Sequence, residues 1–82
     1  MLRIRVHGRG GEGAVTFAHV LSASATFDGK FGQSCMSPAI ERRGAPVEAY
    51  ARIGDRRIGE RGAIQNPDIV VVLLNIVELL GE

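Results

Sequence analysis

The period of apolar and polar positions changes repeatedly along the chain, and each change marks an element. Ile4 and Val6 alternate with Arg3, Arg5 and His7, which predicts a short β-strand from Ile4 to His7. A glycine-rich turn spans Gly8 to Gly13. From about Glu12 to Phe27 the period is helical. Ala14, Phe17, Ala18, Leu21 and Ala25 share one face, while Thr16, His19, Ser22 and Thr26 lie on the other. Asp28-Gly29 closes this helix, with Gly29 as its left-handed terminal residue. No charged residue occurs between Glu12 and Asp28, although a solvated helix face normally carries lysine and glutamate. The helix is therefore expected to lie between its own sheet and a second surface, either another subunit or a missing part of the domain.

Phe31 to Met36 predicts a second strand, and Pro38 and Pro46 bracket the loop that follows. Val47 to Ile53 alternates strictly, with Val47, Ala49, Ala51 and Ile53 on one side and Glu48, Tyr50 and Arg52 on the other. That pattern predicts a half-buried strand. Gly54-Asp55 suits a tight turn, after which Arg56 to Glu60 would return antiparallel as a β-hairpin. Arg61 to Asp68 is connecting chain. Ile69 to Leu74 is unbroken and apolar, the mark of a central parallel strand covered on both faces. Only one long helix is available to cover it. The pattern describes an α/β fold with a partial Rossmann-like sheet: β-α-β, then a β-hairpin and a buried apolar strand.

The first turn carries the candidate chemistry. Gly8, Gly10 and Gly13 have the G-x-G-x-x-G spacing, with Gly11 as a fourth glycine. In this pattern the first glycine turns the chain off the strand, the second admits a ligand, and the third lets helix and strand pack closely. The helix N-terminus then presents free N–H groups to an anion. Gly8, Arg9, Gly10, Gly11 and Gly13 are thus candidate cofactor-binding residues. An ordinary NAD site fits poorly. Asp28 lies at the helix C-terminus rather than at the end of a second strand, and the carboxylate of Glu12 would repel a pyrophosphate. A P-loop fails because Ala14 and Val15 stand where Lys and Ser/Thr are required. A phosphate-type ligand and glycines used only for packing both remain open. The second candidate is Glu41, Arg42, Arg43 and Gly44 in the proline-bracketed loop. It reads either as a solvated turn or as an arginine clamp for a phosphate, a carboxylate or a partner's acidic residue.

Eighty-two residues form a single domain, 1–82, and a chain this short buries only about 60% of its unfolded surface. Ten Lys+Arg against nine Asp+Glu give a formal charge of +1, too balanced for a nucleic-acid partner. The lone Cys35 excludes an internal disulfide and reads as a packing residue. No Cys/His cluster has metal-ligand spacing, so no iron–sulfur cluster can be held by this chain alone. The apolar stretch from Ile69 to Leu80 is broken by Asn75 and Glu78 and is too short to span a bilayer. With no apolar leader, the cytoplasm is the expected compartment.

Three blocks together are more specific than any one: Ile4-Arg-Val-His-Gly-Arg-Gly-Gly-Glu-Gly-Ala-Val-Thr16, Glu41-Arg-Arg-Gly-Ala-Pro-Val47 and Asn66-Pro-Asp-Ile-Val-Val71. In this order they resemble the gamma subunit, or gamma domain, of the pyruvate and 2-oxoacid:ferredoxin oxidoreductases, over Leu2 to Leu74. The resemblance implies a Rossmann-like domain in a multi-subunit enzyme. That enzyme oxidatively decarboxylates a 2-oxoacid to an acyl-coenzyme A and passes electrons to ferredoxin. Thiamine diphosphate, Mg2+ and iron–sulfur clusters would sit on alpha, beta and delta-type partners, and this chain would be a non-catalytic subunit. Coenzyme A is the implied shared ligand, and Arg42 and Arg43 could fix a subunit contact or approach its phosphate. The chain departs from the family at Glu12, where glutamine is usual, and in the Ser37-Pro38-Ala39-Ile40 lead into the Glu-Arg-Arg-Gly block. It is also about half the usual length, so it is expected to be the first half of a gamma-type domain that self-associates when isolated. The competing readings are a stand-alone coenzyme A- or nucleotide-binding module and a non-catalytic interaction remnant.

Overall fold

The computed structural model describes residues 1–9, 13–36 and 46–73, which form β1 (Leu2–Arg9), α1 (Ala14–Phe27), β2 (Phe31–Met36), β3 (Pro46–Gly54) and β4 (Ile69–Val72). The strands make one sheet in the order β2-β3-β1-β4. β3 is antiparallel to both its neighbours, from Leu2↔Ile53 to Arg9↔Pro46 on one side and Phe31↔Gly54 to Met36↔Ala49 on the other. β4 runs parallel to β1, from Ile4↔Ile69 to His7↔Val72. The unit β1-α1-β2 is therefore a crossover between two parallel strands with β3 inserted between them.

The core lies between the sheet and α1, and it is built from small side chains. Ile4, Val6, Ala49 and Ala51 from the sheet meet Ala14 and Ala18 from the helix, with Val15, Leu21, Ile53, Val71 and Leu73 packed around them. Alanines on both surfaces bring the helix close enough to touch backbone. A Cβ placed on Gly32 of β2 would stand 2.1 Å from the carbonyl oxygen of Ser22 in α1. Gly32 is thus the position where helix and strand need a missing side chain. The sequence pattern assigned that role to Gly13. Gly13 instead has φ +85° and open space around its missing Cβ, so its requirement is conformational. Gly29, with φ +78°, ends the helix as expected. Ser22, placed by periodicity on the outer helix face, is buried, and Phe17, placed on the inner face, is 38% exposed.

The other expectations divide by whether a local pattern or a tertiary partner decides them. β1 is longer than Ile4 to His7: Gly8 and Arg9 continue the ladder opposite Val47 and Pro46, so the turn does not begin at Gly8. No strand forms over 56–60, and the expected hairpin is replaced by irregular chain that crosses the sheet. β3 is not half-buried, because Tyr50 and Arg52 on its polar side are as inaccessible as Ala49 and Ala51. β4 is parallel, as its apolar run implies, but it ends the sheet order among the described residues. Ile69, Val70 and Val72 are exposed rather than covered on both faces. Its start is set by Asp68, whose N–H donates to the Arg3 carbonyl while its Oδ2 accepts from the Arg3 N–H, both at 2.8 Å.

Candidate functional site

The strand directions gather several chain ends at one edge of the sheet. β1, β2 and β4 are mutually parallel, so Arg9, Met36 and Val72 all point to that edge, and α1 starts there at Ala14. The chain ends that bound residues 10–12 and 37–45, and the end that leads into 74–82, lie at this carboxyl edge. Outside the carboxyl ends of parallel strands is where α/β folds place their ligands. A cavity of about 390 Å3 opens beside this edge, between the first turns of α1 and the end of β2, lined by Val15, Thr16, His19, Ser34, Cys35 and Met36. His19 Nδ1 lies 3.4 Å from Ser34 Oγ within it.

The outer surface of α1 carries Thr16, Phe17, His19, Val20, Ser24, Thr26 and Phe27, with Val20 54% and Phe27 93% exposed. Among these exposed positions none carries a permanent charge. Large apolar groups left in water beside uncharged polar ones are the composition of an interface rather than of a solvated face.

The opposite face of the sheet is polar and is organised by a buried arginine. The register sets Arg3 opposite Arg52 and Arg52 opposite Gln33, with Arg5, Tyr50 and Cys35 in the next rung and His7 opposite Glu48 beyond. Arg52 is only 3% exposed. Its Nη1 donates to Gln33 Oε1 at 2.9 Å, and its Nη2 donates to the Gly62 carbonyl at 2.9 Å. Arg5 Nη1 donates to the Ile64 carbonyl, and Gln33 Nε2 to the Glu60 carbonyl. These bonds strap residues 60–64 across the polar face, with Ile58 and Ile64 buried as its apolar contribution. Glu60 closes the strap against Arg3 with two contacts, Nη2 to Oε2 at 2.8 Å and Nε to Oε1 at 3.2 Å. Hydrogen bonding to Arg3 holds the Glu60 carboxyl below its ordinary range. Tyr50 donates to Glu48 Oε1 at 2.8 Å, and burial, followed by that bond, pushes its phenol up to about 12. Arg5 Nε donates to His7 Nε2 at 3.0 Å.

Of the residues singled out from sequence, Gly8 and Arg9 belong to the end of β1 and Gly13 to the start of α1. Gly10, Gly11, Glu41, Arg42, Arg43 and Gly44 lie outside the described residues. Arg3, Arg52, Glu60 and Gln33 were not singled out, because a strand with alternating charges reads as facing water. The available signal was the isolated pair Ile58 and Ile64 in otherwise polar connecting chain, which must cover something. Among the described residues there is no group of His, Cys, Asp and Glu suited to a metal, and no helix long and apolar enough to cross a membrane.

Residues 3–81 match the pyruvate ferredoxin/flavodoxin oxidoreductase family. The pyruvate synthase subunit PorC of Methanothermobacter marburgensis is 53% identical over 73 residues, covering 89% of this chain and 41% of that protein. The pyruvate/ketoisovalerate oxidoreductases common subunit gamma of Thermococcus litoralis is 51% identical over 73 residues, covering 89% of this chain and 40% of that protein. The crystal structure of pyruvate oxidoreductase subunit PORC from Thermotoga maritima superposes with a TM-score of 0.72 at 39% identity, covering 87% of this chain and 36% of that one. This chain thus spans about two-fifths of the length of the curated relatives it matches. On the family match, the relatives and the shared fold, the chain belongs to the pyruvate ferredoxin/flavodoxin oxidoreductase family.

Proposed function

We propose that this chain is a gamma-subunit component of a 2-oxoacid:ferredoxin oxidoreductase. It supports oxidative decarboxylation of a 2-oxoacid to an acyl-coenzyme A, with electrons passed to ferredoxin. The observation that carries this reading beyond family membership is the exposed, uncharged face of α1 with Phe17, Val20 and Phe27. A subunit whose task is to pack against cofactor-bearing chains needs such a face. In this role the chain is non-catalytic, and alpha, beta and delta-type partners in the cytoplasm bind thiamine diphosphate, Mg2+ and the iron–sulfur clusters. The chain's own contribution comes from the glycine-rich run of Gly8, Arg9, Gly10, Gly11 and Gly13 and the block of Glu41, Arg42, Arg43 and Gly44, which meet a partner or coenzyme A. Isolated from those partners, the chain self-associates through exposed surfaces such as β4.

The test is co-expression with alpha, beta and delta-type subunits, followed by purification and 2-oxoacid-dependent ferredoxin reduction with coenzyme A. The chain is expected in stoichiometric amount in the complex, and its omission is expected to abolish or sharply lower turnover. A complex that assembles and turns over fully without it would refute the proposal.

A further inference from the structure

A cavity of about 500 Å3 lies at the amino end of β1, away from the carboxyl edge, bounded by Arg3, Arg52, Glu60, Ala63, Ile64, Gln65 and Asn66. Its charges do not balance locally. Arg52 is buried, and its two Nη groups are held by neutral acceptors, the Gln33 amide and the carbonyls of Gly62 and Ala63. Its Nε has no hydrogen-bond acceptor. The nearest carboxylate to it among the described residues is that of Glu60, whose Oε1 stands 3.4 Å away, a charge contact without hydrogen-bond geometry. Glu60 is committed to Arg3, at 2.8 and 3.2 Å, and is itself 47% exposed at the mouth of the cavity. Two guanidiniums thus share one half-exposed carboxylate. A buried arginine with an unpaired N–H is costly, and a carboxylate oxygen is the acceptor that suits its free Nε.

We propose that Arg3 and Arg52 form a binding site for a small carboxylic acid, in which Glu60 is a resident and displaceable occupant. When Glu60 swings toward solvent, an incoming carboxylate meets Arg3 Nε and Nη2 on one side and Arg52 Nε on the other. Gln65 and Asn66 line the same cavity, and residues of their type suit a ligand with a second polar group. The volume is in the range of small-molecule sites. The reading does not depend on the subunit assignment, because every residue it uses belongs to this chain.

Chemical rescue tests it. Glu60→Gln preserves the shape of the occupant but removes its charge. Acetate is titrated onto wild-type and variant protein at constant ionic strength, with chloride as the control, and thermal midpoint and 13C-acetate line width are followed. Glu60→Gln is expected to bind acetate saturably and about ten-fold more tightly than wild type, the size of one charge-assisted hydrogen bond no longer contested. Adding Arg3→Gln, at a partly exposed position, is expected to abolish that saturable response. A response to acetate no larger than to chloride in Glu60→Gln overturns the proposal. So does a saturable response that survives Arg3→Gln.

Discussion

Replacing Gly32 by alanine adds one methyl group at the closest contact between α1 and the sheet. The new Cβ would stand 2.1 Å from the Ser22 carbonyl oxygen, whereas close carbon–oxygen contacts lie at about 3.3 Å, so the layers must separate by roughly 1 Å. The obstacle is helix backbone, which cannot turn aside as a long side chain would. Separation loosens Ala14 and Ala18 against Ala49 and Ala51, the centre of the core. Overpacking of this kind costs about 1–3 kcal/mol. The whole chain is expected to have only about 4–12 kcal/mol, at roughly 0.05–0.15 kcal/mol per residue. At about 4–8 °C per kcal/mol for a domain this size, the thermal midpoint should fall by roughly 5–20 °C. Intrinsic preference runs the other way, since glycine inside a strand is destabilising relative to alanine by about 0.5–1 kcal/mol. A loss therefore isolates the contact. Gly59→Ala is the control: nothing lies within 4 Å of its added Cβ, and its φ is not positive. Scanning calorimetry or circular dichroism melts of the two variants decide the matter. A midpoint for Gly32→Ala no lower than for Gly59→Ala would refute the close approach of α1 to β2.

Arg52→Met removes the guanidinium that fixes residues 60–64 and leaves the Gln33 amide oxygen and the Gly62 carbonyl without their donor. The expected loss is roughly 2–4 kcal/mol by urea denaturation, and a loss below about 1 kcal/mol would mean that Arg52 does not organise the strap. Tyr50 is the only tyrosine, so phenolate absorbance reports one site. Its pKa is raised from 10.0 to about 12, so the folded state keeps its proton where the unfolded state loses it. Stability should fall as pH rises from 10 toward 12, and a folded-state titration centred near 10 would contradict the burial of Tyr50 beside Glu48. Arg42→Ala and Arg43→Ala in the assembled enzyme should weaken subunit assembly or raise the apparent KM for coenzyme A while sparing the thiamine half-reaction. Unchanged values for both variants would return that loop to an ordinary solvated turn.

Local pattern by itself determined the existence of β1, α1, β2, β3 and β4, but it also predicted a strand over 56–60 that does not form. Alternation in Val47 to Ile53, the 3.6 period from Ala14 to Ala25 and the apolar run from Ile69 are each written in neighbouring residues. So are the stops, because Gly13 and Gly29 are needed where φ is positive. Tertiary structure alone decided what covers each face. Periodicity shows that Glu48, Tyr50 and Arg52 share a side of β3, but the same pattern serves water or a polar lid. The strap of residues 60–64 buries that side through single hydrogen bonds that no sequence spacing encodes. The close contact at Gly32 depends on a helix backbone ten residues away in sequence. Its need for glycine arises only when α1 docks, so glycine spacing pointed to Gly13 instead. The insertion of β3 between β1 and β2 is likewise a choice among pairings that local residues leave equal. It is made by which apolar faces can be covered by one uncharged helix.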